Sequence, residues 1–160
     1  MKEWFGGKNF TLTELIYKGT RDGFSSQNFH SKVDGRGAII VIIKSNIGGN
    51  IFGGYTKKGF NSCANYSTDP DAFLFSVTKK TKIIQNANNT YSLYDEASRH
   101  ATWGGGHDLG LMTNCNTENT SYCNLGHTYV PPDGHANGSE GAKNYLAGAY
   151  NFMTEEIEIF

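Results

Sequence analysis

The sequence is poor in proline and in cysteine, with three of each among 160 residues. An odd set of cysteines (Cys63, Cys115, Cys123) cannot be fully paired within one chain and suits a reducing compartment. A disulfide scaffold is therefore excluded as the basis of the fold, and a chain of this length can rely on a hydrophobic core instead. Long apolar runs are also missing. The longest, Ala38 to Ile43, is strand-length and far short of the ~20 residues of a membrane-spanning helix. Charge of one sign is lacking too: the net charge is -1. The nearest approach to a basic run, Lys79-Lys80-Thr81-Lys82, reads as a charged hairpin turn. No field is available to draw in nucleic acid or an anionic membrane. The start, Met1-Lys2-Glu3-Trp4-Phe5, has no apolar stretch before a small-residue cleavage site, so no secretory signal is expected. Sequons such as Asn65-Tyr66-Ser67 and Asn88-Asn89-Thr90 then follow from an asparagine-rich composition rather than from glycosylation. These absences predict a soluble, cytoplasmic protein that neither binds nucleic acid nor inserts into membranes.

What is plentiful is aromatic and glycine content: ten Phe, nine Tyr and 20 Gly. So many large apolar rings argue for a packed core and against disorder. Glycines at turn-like spacing suit a mainly β fold. No repeat, linker or boundary interrupts residues 1–160, which are expected to form a single domain.

Two helices are predicted near the N-terminus. Thr11-Leu12-Thr13-Glu14 has the form of a capping box, and Leu12, Leu15 and Ile16 continue it with an apolar stripe, predicting a helix over about 12–18 ended by Gly19. Ser25 caps a second helix, with Phe24 and Phe29 as a hydrophobic staple and Gly35 as the positive-φ stop. From Ala38 the pattern turns to strands. Ala38–Ile43 is continuous and β-branched, so it should be buried on both faces. Asn46–Asn50 is a turn, and Ile51–Tyr55 the return strand. Gly53-Gly54 inside it signals a bulge or a close backbone approach. Further strands are expected at Ala72–Val77, at Lys82–Gln85 and Tyr91–Tyr94 on either side of an Asn86–Thr90 turn, at Leu109–Met112, at Tyr145–Tyr150 and at Glu156–Phe160. Residues 131–144 are polar and glycine-rich, predicting a mobile loop. Runs of short strands with helices confined to the first third predict a two-sheet antiparallel β-sandwich with short flanking helices.

Several groupings could carry chemistry. Gly104-Gly105-Gly106-His107-Asp108 offers a His-Asp pair for acid-base work. Neighbouring strand residues point to opposite faces, however, which favours a glycine bulge beside a buried, hydrogen-bonded histidine. His107, Cys115, Cys123 and His127 are zinc-type ligands, but only Cys123 and His127 have the spacing of a zinc pair. Cys115 is the candidate nucleophile of a thiol-dependent enzyme or antioxidant, although no adjacent histidine marks it as activated. Glu156, a weaker catalytic candidate, shares a face of the last strand with Glu158 while Ile157 and Ile159 share the other, a pattern that fits the solvated face of a half-buried strand better than a catalytic pair. Asp69-Pro70-Asp71 and Asp133-Gly134 are turn chemistry. No phosphate loop, dinucleotide fingerprint or nucleophile elbow occurs, and no cofactor or metal is expected.

An ordered series of segments resembles the TLDc domain family, which includes the eukaryotic oxidation resistance proteins. The segments are Tyr17-Lys18-Gly19-Thr20-Arg21-Asp22-Gly23-Phe24 with Phe29-His30, then Asp34-Gly35-Arg36-Gly37 and Phe52-Gly53-Gly54-Tyr55. Asp69-Pro70-Asp71-Ala72-Phe73-Leu74-Phe75 follows, then Gly104 to Leu109 and Ser121-Tyr122-Cys123-Asn124-Leu125-Gly126-His127. Leu146 to Phe152 and Glu155 to Phe160 close the series. The resemblance implies a two-sheet sandwich, a role in protection from oxidative stress, and binding to peripheral subunits of the vacuolar proton pump (V-ATPase) by a monomer. No established reaction comes with it. The family's common residues here are Asp22, Gly23, Phe24, His30, Gly53, Gly54, Gly105, His107, Asp108 and Glu156. His30, Gly53, Gly54 and Gly105 are expected to be structural, and Arg21, Asp22, Gly23 and Phe24 to form the binding loop, with Phe24 beside Arg21 as an interface anchor. Cys123 stands where the family usually has Ser, so a zinc site would be peculiar to this chain. The LysM, TBC and calcium-binding modules of longer relatives are not present.

Overall fold

The computed structural model describes residues 2–5 and 11–160. Two antiparallel sheets of six strands carry the fold. The first is built from β1 (Tyr17–Lys18), β2 (Ile39–Ser45), β3 (Ile51–Thr56), β5 (Phe73–Ser76), β6 (Thr81–Ile83) and β12 (Thr154–Ile159), in the order β1-β12-β2-β3-β5-β6. The second contains β4 (Asn65–Ser67), β7 (Leu93–Asp95), β8 (Arg99–Trp103), β9 (Leu109–Met112), β10 (Ser121–Cys123) and β11 (Asn151–Phe152), in the order β11-β10-β9-β8-β7-β4. Three short helices flank them: α1 (Gly19–Asp22), α2 (Ser26–Val33) and α3 (Glu140–Asn144). The mainly β, two-sheet architecture is the one the sequence predicted.

The β2–β3 hairpin is the clearest success of pattern reading. Ile39, Val41 and Ile43 belong to the main core between the sheets, whereas Ile40 packs with Phe73 and Phe75 on the outer face of the first sheet. A strand buried on both faces needs the continuous apolar run seen here. The β2–β3 register runs without a slip from Ile39↔Thr56 to Lys44↔Ile51, so Gly53 and Gly54 make no bulge. They serve close approach instead. A Cβ on Gly53 would collide with the Val41 carbonyl oxygen, and one on Gly54 would lie 2.5 Å from the ring of Trp103 in the opposite sheet. Trp103 is wholly buried and meets Phe60 edge-on at 5.9 Å. Phe52 meets Phe152 across the two sheets at 5.4 Å.

Helix α2 also follows its sequence signals. The Ser25 hydroxyl accepts the Asn28 N–H at the N-cap, and Gly35 takes a φ of +75° just beyond the C-cap. Phe29, His30 and Val33 are its buried face.

Three expectations are corrected. No helix forms over 12–18: residues 11–16 are irregular and Tyr17–Lys18 pairs as an edge strand with β12. The apolar stripe that suggested a helix is divided, because Leu12 packs on the outer cluster and Ile16 on the main core. A chain that must serve both sides of one sheet edge runs extended around it, which overrides a local capping signal. Tyr145–Tyr150 is not a strand but a series of turns in which Tyr145, Leu146 and Ala147 are buried consecutively. Helices are not confined to the first third, since α3 lies within the 131–144 segment, capped by Ser139. Strands do lie on either side of the 86–90 turn, and because β6 and β7 belong to different sheets this segment crosses from one sheet to the other. Among the described residues no helix is long and apolar enough to cross a membrane.

Candidate functional site

The segment from β1 to Phe24 forms a charged ridge along one edge of the first sheet. Lys18 faces Glu158 in the β1–β12 register, and its Nζ lies 2.6 Å from Glu158 and 3.5 Å from Glu156. The Glu156 carboxylate accepts both the backbone N–H and the hydroxyl of Thr20. Burial works to raise the Glu156 pKa, but these donors together with Lys18 bring it below the ordinary carboxylate range. Asp22 accepts the Lys18 N–H at 2.9 Å, is gripped by Arg21 at 2.7 Å, and has Lys32 at 3.5 Å. The Arg21 guanidinium, helped by the backbone bond, holds the Asp22 carboxyl far below its usual range.

Exposure along this ridge is uneven. The Arg21 side chain is 47% exposed, that of Asp22 only 8%. Phe24 folds back onto Gly19 and packs against the core, and its carbonyl oxygen accepts bonds from the Asn114 N–H and His100 Nε2. Gly23 ends α1 at a φ of +92°, and its carbonyl accepts the Tyr17 hydroxyl. Arg21 is thus the outward group of the expected binding quartet. Asp22, Gly23 and Phe24 hold the loop in place. Lys18, Thr20 and Lys32, which the sequence does not single out, complete the ridge together with Glu158 from the polar face of the last strand; the opposed charges of Lys18 and Glu158 become visible only once β1 is paired with β12.

The second group centres on the His107 turn, and the structure separates the histidine from the aspartate. The glycines form a turn between β8 and β9 and not a bulge, and His107, expected to be buried, is half-buried: it adopts a left-handed φ of +51° and turns to the outer face of the second sheet, where it meets the Tyr122 and Tyr66 hydroxyls and Arg99. Asp108 is fully buried on the other side. Its carboxylate accepts backbone N–H groups from Gly126 (2.9 Å), His127 (3.1 Å), Thr128 (3.1 Å) and Tyr129 (3.1 Å). Burial raises the Asp108 pKa, only partly countered by those donors. Asp108 is therefore the anchor of the 126–129 loop. Gly105 contributes its N–H to the Thr128 hydroxyl at 2.9 Å. His30 bridges Asp34 at 2.7 Å and the Arg99 carbonyl at 2.8 Å, tying α2 to the second sheet.

The thiols are poorly placed for chemistry. Cys115 is fully buried and receives the Thr154 hydroxyl at 3.2 Å. Burial pushes its pKa up to about 11, and that of Cys123 to about 12. Cys63 is exposed, but desolvation and the Asp95 carboxylate at 3.4 Å raise its pKa as well. A thiolate, the reactive form, is disfavoured at all three. His107, Cys115, Cys123 and His127 do not assemble: no group of three His, Cys, Asp or Glu side chains among the described residues is placed to hold a metal. A surface depression of about 420 Å³ between residues 70–73 and 82–89 includes none of these residues.

Compared with known protein families, the chain matches the TLDc domain model over residues 1–160. No curated protein matches it.

Proposed function

The chain belongs to the TLDc domain family, and on that premise we propose that it is a non-catalytic protein-binding module whose partner is a peripheral subunit of the V-ATPase. Its contribution to oxidative stress resistance runs through that cytoplasmic complex. The observation that carries this reading is the ridge of Lys18, Thr20, Arg21, Lys32 and Glu158: polar or charged, outward, and tied together by ion pairs and hydrogen bonds through Asp22 and Glu156. A preordered polar surface loses little conformational freedom on binding. The thiol-dependent alternative is weakened by the burial of Cys115 and its raised pKa.

The test is retention of the full chain on immobilised peripheral-stalk subunits of the pump. Wild type should be retained in a salt-sensitive manner. Arg21→Glu with Lys32→Glu should weaken retention by about tenfold or more, as expected for charges that steer and register an interface. No retention of wild type, or equal retention of the charge-reversed variant, defeats the proposal.

A further inference from the structure

Beneath the loop that carries the ridge lies a buried titratable side chain, His100 of β8, with only 2% of its surface exposed. Its imidazole stacks on Phe29 of α2 with centroids 5.0 Å apart and meets the Tyr17 ring of β1 edge-on at 6.1 Å. Nε2–H donates to the Phe24 carbonyl at 3.0 Å, and the Asn114 N–H donates to the same oxygen at 2.7 Å. Nδ1 is buried and has no hydrogen-bond partner among the described residues. The ring is thus held as the neutral tautomer protonated at Nε2, with an idle lone pair at Nδ1.

A proton added at that lone pair would have no acceptor. His30, the titratable neighbour on α2, differs in this respect: Asp34 lies 2.7 Å from its Nδ1 and the Arg99 carbonyl 2.8 Å from its Nε2. The other charged and titratable groups nearby are engaged elsewhere. Asp34 pairs with His30, and Glu96 pairs with Arg99 at 3.3 Å. Tyr17 of β1 gives its hydroxyl to the Gly23 carbonyl, and Asp22, Glu156 and Cys115 act on that phenol. The Ser25 carbonyl already accepts the Phe29 N–H. Burial, opposed in part by the Phe24 and Ser25 carbonyls and reinforced by His30, lowers the His100 pKa from an ordinary 6.5 to about 4.

We propose that His100 is an acid-operated latch beneath the binding ridge. With the ring neutral, its stacking on Phe29 and its bond to Phe24 hold the 23–25 loop and the start of α2 against β8. A proton can reach Nδ1 only if that segment lifts and water supplies the missing acceptor. Arg21 on α1 and Lys32 on α2 flank the segment, so lifting it separates them from their common partner Asp22. The closed form therefore holds fully above about pH 6.5, where neither state takes up the proton, and loses ground as pH falls from there towards 4. The consequence for partner binding rests on the proposed role of the ridge; the latch itself does not.

The experiment measures amide hydrogen exchange on the full chain at pH 7.5 and pH 5.0, with each rate corrected for intrinsic exchange. The reporters are the N–H groups of Ser26, Phe29 and Asn114, bonded to the Thr113 hydroxyl and the Ser25 and Phe24 carbonyls. Their opening equilibrium should rise roughly 20-fold at pH 5.0, the ratio set by proton uptake on opening, while β2–β3 amides stay unchanged. His100→Gln keeps a donor for the Phe24 carbonyl and cannot titrate, so its reporters should open equally at both pH values. Equal opening of wild type at the two pH values, an equal change at β2–β3, or the wild-type pH dependence persisting in a folded His100→Gln variant overturns the latch. Should that variant not fold, an NMR titration of the wild-type His100 ring decides: a closed state whose ring stays neutral at pH 5 supports the latch, and one that takes up a proton near pH 6.5 overturns it. No partner enters the measurement, so loss of the latch leaves ridge binding standing, and failed retention on pump subunits leaves the latch standing.

Discussion

Replacing Asp108 tests whether the glycine-histidine-aspartate motif is a catalytic element or a structural anchor. Asp108→Ala leaves the N–H groups of Gly126, His127, Thr128 and Tyr129 without their acceptor, and three of these bonds are buried. A buried donor left unpaired costs about 1–3 kcal/mol. Three such donors sum to roughly 3–9 kcal/mol, and water entering the vacated space favours the lower half, near ~4 kcal/mol. For a chain of this size each kcal/mol shifts the melting temperature by roughly 2–4 °C, so a fall of about 8–16 °C is expected. Asp108→Asn is the informative companion. Burial already raises the Asp108 pKa, so the buried site tolerates a neutral group, and the asparagine oxygen can keep most of the amide bonds. Its cost should be ~1–2 kcal/mol. Urea unfolding followed by circular dichroism measures both, and hydrogen exchange should show the 126–129 amides losing protection first in the alanine variant. Equal stabilities of wild type and Asp108→Ala, or an asparagine variant as damaged as the alanine one, refute the anchor argument.

Gly54→Ala places a methyl group 2.5 Å from the Trp103 ring, where ordinary contact is about 3.5–4.0 Å, so overpacking should cost ~1–3 kcal/mol. Adding Trp103→Phe should recover part of that loss in a double-mutant cycle, and strict additivity would argue against the steric cause. Under native conditions at neutral pH, iodoacetamide should label Cys63 ahead of Cys115 and Cys123, and Cys115→Ser should leave peroxide consumption unchanged; rapid labelling of Cys115 would contradict its burial. Asp22 and Glu156 have pKa values below their unfolded ones, so their contribution to stability is present above the ordinary carboxylate range and is lost as pH falls through the folded values. Asp22→Asn should flatten the acid limb of the stability–pH curve measured by urea unfolding, and an unchanged acid limb would show that its ion pairs are not formed in solution.

The elements legible in the sequence were those whose burial is simple. The β2–β3 hairpin could be read because one apolar run serves both faces of the first sheet and the turn residues are glycine and asparagine. Helix α2 could be read because its cap, staple positions and stop are local signals. Strand β8 was missed. Its residues Arg99-His100-Ala101-Thr102-Trp103 mix charge, polarity and burial, and the register shift between Arg99 and Thr102 destroys alternation. Yet β8 supplies Trp103, the largest side chain in the core, and Arg99, beside His107. Strand β1 has only two residues, too few for any period to show.

The candidate sites were legible as composition but not as geometry, and the reason lies in sign and pairing. Strand alternation is not what separates His107 from Asp108, because both lie in the turn before β9; the left-handed backbone at His107 sends its side chain outward while Asp108 is buried. What each then meets depends on partners distant in sequence. Asp108 finds amides 18–21 residues later, and His107 finds Tyr66 at 41 residues and Tyr122 at 15. The same holds at the ridge, where Thr20 reaches Glu156 across 136 residues and Lys18 reaches Glu158 across 140. Local pattern selects which side chains are polar or aromatic. Sheet pairing decides which of them share a surface, and in this fold the first and last strands must pair before the ridge exists. A site assembled by closing the two ends of the chain onto one sheet edge should therefore be lost early in unfolding if that edge frays first. The amides of Lys18 and Thr20, bonded to Asp22 and Glu156, would then exchange faster than those of β2 and β3.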